Sequence, residues 1–205
     1  MRAVGIMMVA ATFAAGASAQ QTPVEKPRFG IAPNYDLYPQ NTPKAALETA
    51  TKLLENKRYD YFVAHVLDPA VLEARIQDRA QRIEKEVELQ LAQKRDEQKR
   101  NPAEVIDRER LSVEPKAFAA AVREEALARS FKYVVRDLQT QLTEAPENLK
   151  AFRRFLVEGQ VADAGTTASF THKDFAGRAV YLKNDGKHWF LEDRQTEEPK
   201  PMTEK

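Results

Sequence analysis

The sequence predicts an α+β fold in which helices come first and a small antiparallel sheet follows. Apolar residues recur at helical spacing through residues 42–157, and after Gly159 short alternating segments flank a hairpin turn at residues 184–187. Because helices and strands are segregated along the chain, this order disfavours the doubly wound nucleotide-binding folds. We therefore predict a single domain over residues 42–194, helical over 42–157 and a β-meander over 158–194.

The N-terminal residues 1–19 have the pattern of a cleaved secretory signal peptide. Arg2 gives a positive start, residues 3–15 form an uncharged and mostly apolar run, and residues 17–19 supply the small side chains that signal peptidase reads. The run is shorter than the roughly 20 apolar residues that a membrane-spanning helix needs. We expect cleavage after Ala19, which takes the formal charge from +1 to zero, and a protein secreted to the periplasm or the medium.

Both ends of the mature chain differ from the domain between them. Residues 20–41 are predicted to be a Pro-rich linker because their prolines remove backbone donors and favour extended structure. The larger apolar residues there could let parts of the linker lie along the domain: Phe29, Tyr35, Leu37 and Tyr38. Residues 195–205 are polar and are predicted to be a disordered tail.

The helical part opens with a strong start signal. Thr42 is placed to be an N-cap, and Pro43 follows at the first helical position, where its missing N–H has no cost. This helix is expected to end near residues 56–57. A second short helix is predicted to begin with Asp60 as its N-cap and to end before Pro69.

Two long charged helices are predicted next, the first running from Pro69 to about Arg100 and the second from Pro115 to Glu144. Each carries one apolar stripe, and charges of both signs cover the other faces. The charged segment 103–113 joins them, so an antiparallel hairpin is the simple packing solution. A shorter helix is predicted over residues 147–156. The stripe of the first helix consists of Leu72, Ile76, Ala80, Ile83, Val87 and Leu91.

The predicted strands are residues 167–171, 178–183 and 188–193. In the first, Ala168 and Phe170 share one face. A two-residue turn at 185–186 would put the aliphatic residues and Trp189 on one face, whereas a bulge at Gly186 would mix the faces. The two-residue turn predicts the pairs Leu182–Trp189, Val180–Leu191, Tyr181–Phe190 and Arg178–Asp193.

Two segments resemble parts of small secreted bacterial NTF2-like and related uncharacterised α+β domains. The stretch from Thr42-Pro43 to Leu67-Asp68-Pro69 is similar to their opening helices, and residues 165–170 with 180–189 are similar to their closing strands. The resemblance implies a pocket between helices and sheet, but no reaction, because that fold hosts enzymes and binders alike. The long helices of residues 69–142 depart from it and are either an insertion or the main body.

Composition excludes several classes of chemistry. The absence of cysteine rules out disulfides, thiolate metal sites, a cysteine nucleophile and a lipid-modified N-terminal Cys. The 3 histidines, His65, His172 and His188, have no i, i+4 pairing, and His65 with Asp68 is too little for a metal site. Glycine-rich phosphate loops and serine-nucleophile motifs do not occur. We predict no metal and no cofactor.

Nucleic acid is also a poor candidate partner. Lys94-Arg95 and Lys99-Arg100 form a basic patch, but Asp96 and Glu97 lie between them. A chain with balanced charge lacks the counterion-release contribution that dominates binding to DNA.

The leading interpretation is a secreted non-catalytic module that binds a protein, a peptide or a small apolar ligand. One alternative is a chaperone-like helical protein that self-associates, which requires Ile83, Val87 and Leu91 to stay exposed in the monomer. The other is an NTF2-like pocket lyase or isomerase with a general base in an apolar pocket. Its polar-aromatic candidates are Tyr59, Asp60, Tyr61 and His65, and no catalytic residue is assigned.

Overall fold

The computed structural model describes residues 25–101 and 111–194, which form five α-helices followed by a four-stranded antiparallel sheet. The predicted α+β order is confirmed. The predicted signal peptide 1–19 and tail 195–205 lie outside the described residues. The elements are α1 Pro43–Glu55, α2 Tyr59–His65, α3 Pro69–Arg100, α4 Pro115–Glu144, α5 Glu147–Glu158, β1 Gln160–Asp163, β2 Thr167–Thr171, β3 Ala179–Asn184 and β4 Trp189–Leu191.

The first helix begins as predicted. The Oγ1 atom of Thr42 accepts the N–H of Ala45 at 3.1 Å, and Pro43 opens α1. The predicted cap of α2 is wrong: the helix starts at Tyr59, so Asp60 lies in its first turn and makes an exposed ion pair with Arg58 at 3.6 Å.

The long helices α3 and α4 pack against each other. Val87 is fully buried in a cluster with Ala80, Phe118, Val122 and Ala126, and Ile83, Leu91 and Leu127 pack partly buried against the same cluster. The stripe of α3 is therefore covered within the chain, because apolar side chains of α4 lie opposite it.

The sheet is a meander in the order β1-β2-β3-β4, which follows the predicted antiparallel arrangement. Gly159 joins α5 to it, at a point where a Cβ atom would lie 2.2 Å from the carbonyl oxygen of Phe155. Strand β1 is an exposed edge strand that the sequence did not single out. The buried residues of the sheet that join the main helical core are Ala168, Phe170, Leu182, Trp189 and Leu191.

The predicted β3–β4 register is wrong by two residues. Leu182 pairs with Leu191 and Asn184 with Trp189, because the carboxylate of Asp185 accepts the N–H groups of both Lys187 and His188 at 2.8 Å. Those bonds hold residues 185–188 in a longer loop than the expected turn. A shift of two residues keeps each side chain on its predicted face. It abolishes the pairs Leu182–Trp189, Val180–Leu191, Tyr181–Phe190 and Arg178–Asp193.

Hydropathy adds one finding about the helices. Over the parts of the chain that the structure describes, none of them combines the length and apolar character needed to cross a lipid bilayer.

Candidate functional site

Residues 25–41, here called the arm, lie against α2. The Nε2 atom of His65 is 2.9 Å from the carbonyl oxygen of Ile31, so this nitrogen is the donor, and Asn34 donates its N–H to the hydroxyl of Tyr61 at 2.7 Å. Burial lowers the pKa of His65, an effect that its bond to Ile31 only partly offsets. The imidazole is therefore neutral at neutral pH and acts as a structural donor to the arm.

Aromatic rings attach the arm at two further points. Phe29 stacks on Phe131 of α4 with ring centroids 4.7 Å apart, and Tyr35 stacks on His188 at 3.8 Å. Such contacts add to the apolar area that the rings bury. His188 is thus a packing residue of the hairpin loop.

The four polar-aromatic candidates of the sequence do not line a cavity together. Tyr61 and His65 are buried beneath the arm, Asp60 is exposed, and Tyr59 packs partly buried against the core. Nor do His65 and Asp68 form a ligand pair, because Asp68 caps α3 through a 3.0 Å bond from the N–H of Ala70.

The candidate site is a cavity of about 630 Å³ between the helices and the sheet, here called the groove. Helices α1, α2, α4 and α5, the segment between α2 and α3, and strands β3 and β4 contribute its apolar residues. Several of these, including Leu138, Leu142, Leu149 and Phe152, are only half-buried. The apolar lining consists of Leu54, Phe62, Val63, Leu67, Val134, Leu138, Leu142, Leu149, Ala151, Phe152, Phe155, Ala179, Val180 and Leu191.

Charged side chains that line the groove include five arginines but only three carboxylates. Arg75 pairs with Asp193 at 2.6 Å, and Arg79 pairs with Asp137 at 2.8 Å. Arg194 pairs with Glu192 at 2.9 Å. Arg82 pairs with Asp78 on its own helix, which leaves Arg178 as the lining arginine without a carboxylate partner in the described part of the chain.

Two guanidinium groups retain free hydrogen-bonding capacity. Within residues 25–101 and 111–194, Arg178 has no ion-pair partner; the corrected register leaves Asp193 bonded to Arg75 instead. The Nη1 atom of Arg79 is buried and has no hydrogen-bond acceptor among the described residues. A buried donor without an acceptor is unusual in a folded protein.

A second concavity, of about 750 Å³, surrounds His172 at the end of β2, but its histidine is fully engaged. The Nδ1 atom accepts the N–H of Asp174 at 3.1 Å, so Nε2 carries the proton and donates to Glu158 at 3.1 Å. That bond lowers the pKa of Glu158, with Arg154 contributing through its charge. With both ring nitrogens occupied, His172 is placed to hold the turn together rather than to bind a ligand.

The arginines of α3 were predicted to be part of a solvated helix face. The sequence did contain a signal for a shared arginine surface. Arg75, Arg79 and Arg82 are spaced four and three residues apart, which places them on one face of a helix. What it could not reveal is that Arg178 and Arg194 meet them from the sheet, since this depends on how the sheet packs against the helices.

In comparisons with protein-family models, with curated proteins and with solved structures, nothing matches this chain. The resemblance to NTF2-like domains therefore stays a prediction. No group of three or more His, Cys, Asp or Glu side chains is placed to hold a metal ion in the described part of the chain.

Proposed function

We propose that the protein is a secreted, non-catalytic binding module whose ligand site is the groove. The observation that carries this proposal is the cavity of about 630 Å³ between helices and sheet, which is lined by apolar side chains and by arginines. This volume lies within the roughly 300–1,000 Å³ of typical ligand sites.

Binding is favoured over catalysis by the groups that line the groove. Asp137, Glu192 and Asp193 are each paired with an arginine, and a paired carboxylate is a weak general base. No histidine is found among the described residues of the lining. These features support a binder over the lyase or isomerase alternative, whose polar-aromatic candidates do not line the groove.

A module that works as a single copy is favoured over the self-associating alternative. That alternative needs an exposed stripe on α3, yet Val87 is fully buried and Ile83 and Leu91 pack against the cluster formed with α4. The covered stripe removes the apolar surface that would drive helical self-association.

Export is the second part of the proposal, and it rests on the signal-peptide pattern of residues 1–19. The test is expression of the full chain in a Gram-negative host, followed by mass spectrometry of the protein from each compartment. We expect a periplasmic or secreted product that begins at Gln20. An unprocessed chain confined to the cytoplasm would contradict export.

The binding site is tested with Nile red, an uncharged apolar dye whose fluorescence rises in an apolar site. Ala151 lines the groove, so Ala151→Trp should fill it and weaken dye binding by about tenfold or more. Ala120→Trp is the matched control, because it makes the same substitution at an exposed helical position of α4 that does not line the groove. It should bind the dye as the unmodified protein does. Circular dichroism checks that both variants fold.

Leu142→Gln provides a second groove variant that adds no bulk. It should also weaken the dye, because it places an amide where the apolar lining now lies. Saturable binding that neither groove variant changes would place the dye elsewhere and contradict the proposal, as would an absence of binding.

A further inference from the structure

We propose that the groove binds an anionic amphiphile, namely a fatty carboxylate with an unbranched alkyl tail. This inference rests on the proposed function and names the chemical class of its ligand. Three features of the groove carry it: half-buried apolar side chains, paired backbone groups and guanidinium groups with free donors.

The apolar side chains suit an alkyl tail. Leu138, Leu142, Leu149 and Phe152 come from α4 and α5, line the groove and remain half-buried in the free protein. Covering them with methylene groups removes apolar surface from water on both partners, which is favourable. Each added methylene should tighten binding about fourfold, the equivalent of ~0.8 kcal/mol per buried CH₂.

The backbone around the groove favours a tail over a peptide. Strand β3 pairs with β2 over residues 179–183 and with β4 over residues 182–184, and Glu192 donates its N–H to the carbonyl oxygen of Tyr181 at 2.9 Å. The edge of β3 that stays unpaired at the groove is therefore only residues 179–180, which is too short to pair with an extended peptide. Leu191 of β4 donates its N–H to Val66 and accepts the N–H of Asp68, both at 2.8 Å. An extended peptide needs an unpaired strand edge for its own N–H and C=O groups, and burying them unpaired is costly. An alkyl chain has no such groups.

The arginines favour a carboxylate as the head group. Arg178 has no ion pair within the described residues, and the buried Nη1 atom of Arg79 lacks an acceptor there. A guanidinium group matches a carboxylate with two parallel hydrogen bonds, which are stronger because both partners are charged. Arg178 also gives the lining a positive charge that no described carboxylate offsets, so a cationic head would be disfavoured.

The test compares three ligands that share one tail: decanoate, decanol and decyltrimethylammonium. Each is titrated against the full mature chain by calorimetry, below its micelle concentration, and also as a competitor of Nile red. We expect decanoate to bind about tenfold or more tightly than decanol, equal to ~1.4 kcal/mol, and the cation to bind weakest. Added salt should narrow the gap between them.

Substitutions then assign the head group. Arg178→Gln and Arg79→Gln should each lower the ratio of decanoate to decanol affinity by about three- to tenfold. Arg123→Gln is the matched control, because Arg123 is an exposed arginine of α4 that does not line the groove. It should leave that ratio unchanged.

The outcomes separate this inference from the proposed function. If decanol and decanoate displace Nile red with equal affinity, the groove is a binding site but the preference for an anion is wrong. If Nile red itself does not bind, the proposed function fails. If decanoate binds Ala151→Trp as tightly as the unmodified protein, or if the arginine variants leave the ratio unchanged, the anion is bound elsewhere and the inference is overturned.

Discussion

Helix α2 has the arm on one side and the groove on the other. The arm covers the first side, whereas the second side faces an open cavity. Tyr61 and His65 are 2% and 1% exposed, and the arm that covers them is bonded to both side chains. Phe62 and Val63 are equally buried, but they lie at the wall of an open cavity. Burial of a helix therefore does not reveal whether the layer beyond it is closed.

The polar bonds of the closed side join α2 to the arm that covers it, whereas the ion pairs of the open side surround a cavity that no segment fills. On the arm side, buried donors meet acceptors and two aromatic pairs stack. On the groove side, apolar residues line a cavity, and the buried Nη1 atom of Arg79 has no acceptor among the described residues. The arm side is therefore a packed interface, and the groove side is where we propose that a ligand binds.

The largest expected effect is a loss of stability when a residue of the closed side is truncated. Tyr61→Ala should lower the free energy of unfolding by about 3 kcal/mol, because it leaves a cavity beneath the arm and removes the acceptor of Asn34. Leu138→Ala, at a half-buried groove position, should cost less than ~1.5 kcal/mol. Urea denaturation measures both. Equal losses would contradict the distinction between the two sides.

The next effect is a pH dependence that belongs to the arm side. Burial lowers the pKa of His65 in the folded protein; Arg28 also lowers it, and Glu25 and the Ile31 carbonyl raise it. Its contribution to stability is therefore complete above the ordinary value of 6.5 and is lost as pH falls from there toward the folded pKa.

One proton taken up on unfolding sets an upper limit of ~1.4 kcal/mol per pH unit on the slope in that window. His65→Gln should remove this part of the pH profile, and His188→Gln, in the hairpin loop where its ring stacks on Tyr35 of the arm, should retain it. Urea denaturation across the acidic range gives both profiles. A slope that survives in His65→Gln would assign it to another group.

A smaller effect is expected from the stacking of the arm on α4. Phe29→Leu keeps an apolar side chain but removes the ring pair with Phe131, so it should cost about 1 kcal/mol. Amide hydrogen exchange should then speed up at Ile31, whose N–H donates to Arg28 within the arm. Val161→Ala on the exposed strand β1 is a control that should leave this exchange unchanged.

The smallest effect is expected at Asp60, one of the four polar-aromatic candidates of the pocket-enzyme alternative. Asp60→Asn removes an exposed ion pair with Arg58, so it should change stability by less than ~1 kcal/mol and leave Nile red affinity unaltered. A marked loss of dye binding would mean that Asp60 acts at the ligand site, which would favour the pocket-enzyme alternative.

Local signals predicted the helices well. Thr42-Pro43 and Pro69 mark starts that physical capping explains, and the stripe of α3 correctly implied a covering partner. The β3–β4 register was missed because it depends on two side-chain bonds from Asp185, which the turn residues alone do not reveal.

The groove could be expected only in outline. The order of helices and sheet implied an interface, but its arginines converge from distant parts of the chain, such as Arg79 and Arg178. The polar-aromatic cluster around Tyr61 and His65 suggested a pocket because such residues often line one. In the structure the arm covers these residues instead of a ligand. Its contacts depend on tertiary packing that periodicity does not encode.

The most direct test of the central claim is methyl NMR of the full mature chain during a titration with decanoate. The account predicts saturable shifts at the groove methyls of Leu138, Leu142, Leu149 and Val180, with Ile31 and Leu37 of the arm unmoved. Shifts confined to the arm, or none at concentrations that saturate the Nile red competition, would contradict it.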